Sequence, residues 1–238
     1  MVDLPIPPQM GLHAIPEAEH PAAEKVRHHL FELLTFAELF KEDLKLYDYC
    51  MENFRRLYEH EQKDRLKPPS EMQILYLHWR GIPLRDGAMN IRHFGIAAHS
   101  VTNALARCPT VSARVDHKAL CQALENFDTA FPSSREMRNA VAHPADKANE
   151  APRHEFTGQH QSTTLDKGNA SPITLTNTAE GRQLTETWKG EVVQYELSEK
   201  TLQILHDIAN AVFAAFPKPQ WDMPGGSPRA QPSSGTTG

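Results

Sequence analysis

The sequence predicts a mainly α protein: a helical bundle followed by a small β-hairpin and a final helix. Three observations carry this. Apolar residues recur every three or four positions from about residue 23 to 143, serine and aspartate caps alternate with prolines along that stretch, and the period switches to two across residues 184–197.

The leader, residues 1–22, contains Pro5, Pro7, Pro8, Pro16 and Pro21 and reads as extended and disordered, because proline fixes φ and removes a backbone donor. A long amphipathic helix follows over roughly 23–62, with Phe36, Leu39, Phe40, Tyr47, Cys50, Phe54, Leu57 and Tyr58 at helical spacing. Pro68-Pro69 ends it, and Ser70 with Gln73 has the spacing of a capping box for a second helix bearing Ile74, Leu75 and Leu77. Gly81 and Pro83 interrupt that one. From about Pro83 to Arg107, the stripe Met89, Ile91, Phe94, Ala98, Val101 and Leu105 predicts a third helix, closed by Cys108-Pro109.

Asp116 is placed to cap a helix whose buried side is Leu120, Leu124, Phe127 and Phe131. Ser133 and Glu136 again have capping-box spacing, which predicts a short helix from Ser134 to about His143, where Pro144 stops it. Residues 145–171 are polar and read as an exposed loop, with His154-Glu-Phe156 the one strand-like trace, and Ile173–Thr176 reads as a strand. Leu184, Glu186 and Trp188, then Lys189-Gly190, then Val193, Tyr195 and Leu197 alternate as a hairpin does, so the hairpin insertion spans about 172–197. Ser198 caps a last helix with Leu202, Leu205, Ile208, Ala209, Val212 and Phe216 inward. One domain over 23–216 and a disordered Pro/Gly/Ser-rich tail over 217–238 complete the organisation.

Composition narrows the function classes. The 238 residues carry a net charge of −5, which excludes the strong overall positive field of a non-specific nucleic-acid binder, so any contact with nucleic acid must be local. Cys50, Cys108 and Cys121 contain no C-x-x-C pair; free buried thiols and a cytoplasmic location are expected. No apolar run reaches 18 residues, so no membrane span is expected. His28 and His29 are adjacent and therefore diverge on a helix, and no H-E-x-x-H occurs; no metal and no cofactor is expected. Gly225-Gly226 follows no strand-to-helix turn, and there is no serine-hydrolase elbow.

Arg138-Asn139-Ala140-Val141-Ala142-His143, at the end of a short helix before Pro144, is the segment with chemical content. With 14 Arg and 13 His in the chain, a given Arg-to-His spacing arises about 0.8 times by chance; Asn directly after Arg lowers this to roughly 0.03. Arg55 and His60 share the spacing without the Asn and serve as an internal control. On a helix, Asn139 and His143 lie about 40° apart, with Arg138 on the adjoining flank. An arginine fork binds phosphate bidentately, and imidazole moves protons near neutral pH.

The segment resembles the signature of the HEPN superfamily, in which four to six residues separate Arg from His on a helical bundle, and the helical context of residues 23–143 fits it. The resemblance implies a HEPN-like bundle that binds RNA, a homodimer in which two motifs face one cleft, and metal-independent endoribonuclease chemistry. In it His143 is the general acid or base, Arg138 the phosphate clamp and Asn139 the positioning group, with an antitoxin or other protein regulator as a further partner. A non-catalytic dimerisation or scaffold module is the alternative, since His143 at a helix C-terminus is favoured by the helix dipole in any case. A second set, Asp86, Asn90 and His93 at i, i+4, i+7 with Arg85 and Arg92 beside it, reads either as a ligand-binding wall facing the Arg138/His143 cleft or as a solvated helix face.

Overall fold

A computed structural model describes residues 7–8, 12, 15–61, 68–142, 182–188 and 191–217. A 3-10 turn, Glu17–Glu19, leads into α1 (His20–Glu61), followed by α2 (Glu71–Trp79), α3 (Gly81–Leu105), the short α4 (Pro109–Ser112), α5 (His117–Ala130) and α6 (Ser134–Ala142). After the strands β1 (Gln183–Trp188) and β2 (Glu191–Glu196) comes α7 (Glu199–Ala214). Among the described residues the architecture is mainly α with a small antiparallel hairpin followed by a further helix, as the periodicity predicts.

The spine is α1 against α3. The apolar seam of α1 runs Ala23, Val26, Leu30, Leu33, Ala37, Phe40, Leu44 and Tyr47, an alternation of threes and fours that keeps it turned to its neighbours, with Cys50 and Asp43 also buried. Contacts of Phe36 with His93 and of Asp43 with Asn90 run in opposite directions along the two helices, so they are antiparallel. The seam starts further towards the N-terminus than the expected stripe, while Leu39 and Tyr58 of that stripe are exposed. At 100° per residue Leu39 falls about 100° from Phe40, on the flank of the seam, whereas Tyr58 lies in line with Phe40 but in the last turn of α1, beyond Cys50, the last buried residue of that helix. The expected leader boundary also moves: α1 begins at His20, and Leu12 and Ile15 pack against the core. Glu19 accepts hydrogen bonds from the Thr110 amide and hydroxyl, both at 2.9 Å, which ties the start of α1 to α4.

Local signals fix the other helix ends. Ser70 and Gln73 form the reciprocal capping box: the Ser70 amide donates to Gln73 Oε1 at 2.8 Å and the Gln73 amide to Ser70 Oγ at 3.4 Å. Asp116 accepts from the Ala119 amide at 3.0 Å, and Ser198 from the Thr201 amide at 3.2 Å. Pro83 sits in the first turn of α3, where its missing N–H has no intrahelical acceptor to lose, so α2 and α3 are separated by Arg80 alone.

The hairpin register pairs Leu184 with Tyr195, Glu186 with Val193 and Trp188 with Glu191. Arg182 at its base reaches α1, forming an ion pair with Asp48 at 2.5 Å and lying 5.5 Å over the Tyr47 ring. α7 closes the bundle against α5 and α1, with Leu205, Ala209 and Val212 fully buried. Cys50 and Cys108 are buried, whereas Cys121 is exposed on the outer side of α5, which corrects the expectation that all three thiols are internal. Outside the described residues lie most of the leader, His143, the polar loop over 145–171, the strand traces at 154–156 and 173–176, the Lys189-Gly190 turn and the tail from 218.

Candidate functional site

α6 is a nine-residue helix with one face buried through Met137 and Ala140, and it packs on α3 and the hairpin. That anchoring leaves Arg138 and Asn139, both half-buried, on the neighbouring arc. Arg138 Nη1 donates to Asn139 Oδ1 at 3.2 Å, so the first two members of the motif are joined. His143, the third member, lies one residue beyond α6 and outside the described residues.

The internal control differs. The Arg55 guanidinium is exposed on α1 and held by two carboxylates, Glu52 at 2.8 Å and Glu59 at 3.0 Å, which raise its pKa. Arg55 is thus committed to an ordinary surface ion network.

The α3 set divides. Arg85 and Asp86 are exposed near the start of the helix, but Asn90 is buried and donates from Nδ2 to Asp43 Oδ2 at 2.8 Å. His93 is half-buried, its ring 5.2 Å from that of Phe36 on α1. Asn90 and His93 therefore face α1. Ala88 and Ile91, on another side of α3, line a cavity of about 260 Å³ together with Met137 of α6. The α3 polar line and the Arg138 helix consequently occupy different sides of α3, and the expected wall facing the Arg138/His143 cleft is not built that way.

What the line builds instead is a buried polar knot centred on Asp43, which the sequence reading missed. Burial pushes the Asp43 carboxyl up to about 7; the Asn90 hydrogen bond pulls the other way, and the negative charges of Asp86 and Glu42 add to the rise. Tyr195 reaches the same region from β2, donating its hydroxyl to the Leu84 carbonyl of α3. Burial and the neighbouring Asp43 hold its phenol well above the usual range. Gly87 permits this approach, because a Cβ there would stand 2.6 Å from the tyrosine oxygen. A usable signal existed in the sequence: Asp43 stands between Phe40 and Tyr47 inside the apolar repeat of α1, a place where a carboxylate requires a partner.

The cavity lies between α3, the α5–α6 connection, β2 and the start of α7. Phe131, Met137 and Ile204 form its apolar lining, and Ser133, Glu196 and Lys200 its polar one. Among the described residues, no group of three or more His, Cys, Asp or Glu is placed to hold a metal ion, and no helix is long and apolar enough to cross a membrane.

No family model matches the chain, and neither a curated protein nor a solved structure is similar to it.

Proposed function

We propose that this chain is a HEPN-like RNA-binding protein of the cytoplasm with metal-independent endoribonuclease activity, centred on the end of α6. The observation that supports it is the joined pair of Arg138 and Asn139 at 3.2 Å, half-buried on a helix whose opposite side is anchored in the core. In this reading the Arg138 fork binds a backbone phosphate and stabilises the charge that develops on it, and Asn139 orients the fork. His143 takes the proton from the ribose 2′-hydroxyl as its oxygen attacks phosphorus. The bond from phosphorus to the 5′-oxygen breaks, that oxygen takes a proton from solvent while the proton on His143 returns to solvent, and a cyclic phosphate and a 5′-hydroxyl end result. A second copy of the chain and a protein regulator of the antitoxin kind are the partners this reading brings with it.

The test is cleavage and binding of labelled RNA by the full chain. His143→Ala is expected to slow cleavage by about 100-fold or more with activity surviving a chelator. Arg138→Ala is expected to weaken binding and flatten its salt dependence. Arg55→Ala and His60→Ala are expected to do neither. Wild-type protein that neither binds nor cuts RNA refutes the reading. The non-catalytic interaction module then takes its place, favoured by the apolar side chains that α2 leaves exposed, Met72, Ile74 and Trp79.

A further inference from the structure

α2 has the sequence Glu-Met-Gln-Ile-Leu-Tyr-Leu-His-Trp, apolar at six of its nine positions, yet it lies on the surface. A helix covered on one side is expected to be amphipathic, and one that is apolar all round to be buried. Its inner side is accounted for: Gln73 is buried, and Arg80, just past its end, reaches Met51 of α1. Its outer side carries Met72 and Trp79, 47% and 42% exposed. This side continues across ring contacts, Trp79 with Tyr76 at 5.8 Å and Tyr76 with Tyr49 at 6.3 Å, onto the outer face of α1, where Tyr49 is 57% exposed. Leu46, 40% exposed and about 60° from Tyr49 on the α1 wheel, extends the strip.

Together these side chains expose on the order of 400 Å², the size of the largest apolar patch of a typical monomer. With a polar rim such a face approaches the roughly 800 Å² that each partner contributes to a standard interface.

The charges beside the strip identify the occupant. At 100° per residue, Glu38, Glu42, Arg56 and His60 all fall within about 20° of Tyr49 on the α1 wheel. The stripe is acidic on the N-terminal side of Tyr49 and basic on the C-terminal side. Reversed about a two-fold axis through Tyr49, it complements itself: Glu42 meets Arg56 of the second copy, and Glu38 meets His60. Self-complementarity of one patch is what a two-fold interface requires. The present pairs of these residues, Glu38 with Lys41 at 3.1 Å and Glu42 with Lys45 and Arg56 with Glu52, each at 2.7 Å, are surface pairs of small worth that can exchange. A nucleic-acid strand fits the strip poorly, since Glu52 already holds both Arg55 and Arg56.

We propose that the second half of α1 and the outer side of α2 form an antiparallel, two-fold homodimer interface with Tyr49 at its centre and Trp79 as an anchor. The inference does not rest on the RNA reading, since α6 packs on α3 and the hairpin.

Sedimentation of the full chain over about 1 to 200 µM tests it, a range that brackets micromolar association. A species of twice the 26.8 kDa chain mass is expected. Tyr49→Glu and Trp79→Glu are each expected to weaken the dimer about 30-fold or more while leaving helix content unchanged. Glu42→Arg and Arg56→Glu are each expected to weaken it about 10-fold, and the two together in one chain to restore it. A monomer at every concentration overturns the proposal, and so does a dimer indifferent to Tyr49→Glu. Where Tyr49→Glu alters the fold, the charge exchange decides: a double variant no tighter than either single one overturns it.

Discussion

Replacing Asp43 by Asn tests whether the knot between α1 and α3 is held by a neutral acid or by a carboxylate. Asp43 is 8% exposed and its carboxyl sits at about 7, against an ordinary value of 3.8, chiefly because burial disfavours the charge. The folded protein therefore binds this proton more tightly than the unfolded chain does. Between about pH 4 and pH 7 the folded state holds more protons, so stability falls as pH rises through that window and levels off above it. At 1.36 kcal/mol per pH unit, the interval corresponds to at most about 4 kcal/mol lost by pH 8. Asparagine has nearly the same shape, keeps an oxygen for the Asn90 amide and carries no charge to desolvate. Urea unfolding at pH 4.5, 6, 7 and 8 measures the difference. Asp43→Asn is expected to match the wild type at pH 4.5 and to exceed it by about 3–4 kcal/mol at pH 8, with the gain growing through the window. A variant less stable than wild type at pH 8, or a difference independent of pH, refutes the reasoning. It would mean that the carboxylate is ionised in the fold and that the Asn90 hydrogen bond outweighs its burial.

Other consequences can be read by the same unfolding measurements. His206 on α7 is 2% exposed with neither ring nitrogen hydrogen-bonded, and burial lowers its pKa, so stability is expected to fall as pH drops below about 6.5; His206→Leu is expected to remove that acid sensitivity and to add about 1 kcal/mol at pH 7. Gly95→Ala would bring a methyl group to 2.3 Å from the Phe127 ring and is expected to cost about 2 kcal/mol despite alanine's better helix propensity, with Phe127→Leu recovering part of the loss in the double variant.

Features written into neighbouring residues were legible in the sequence, and those that depend on which faces meet were not. Ser70, Asp116 and Ser198 cap the helices they were expected to cap, because a cap involves only a side chain and an amide three residues on. The hairpin pairs Leu184 with Tyr195 and Glu186 with Val193, as alternation around a two-residue connection dictates. The Arg138-Asn139 contact was not among the expectations, which set Asn139 beside His143 and Arg138 on the adjoining flank. Asp86, Asn90 and His93 share one side of α3 in both views, but spacing cannot say what that side meets, and it meets Asp43 and Phe36 on a helix 47 to 57 residues earlier in the chain. Tyr195 looked like an ordinary strand residue; only the packing of the hairpin on α3 brings its hydroxyl to the Leu84 carbonyl above Gly87. The knot thus joins α1, α3 and β2 through three polar side chains that no local rule couples, while α6 grips the other side of α3 through Met137. A charge appearing on Asp43 would act on the seam between α1 and α3 and on the seat of the hairpin, against which α6 also packs. The pH response of Asp43→Asn is therefore expected to extend to the Arg138 segment as well as to global stability, and amide exchange along α6 at pH 6 and pH 8 is the measurement that separates the two.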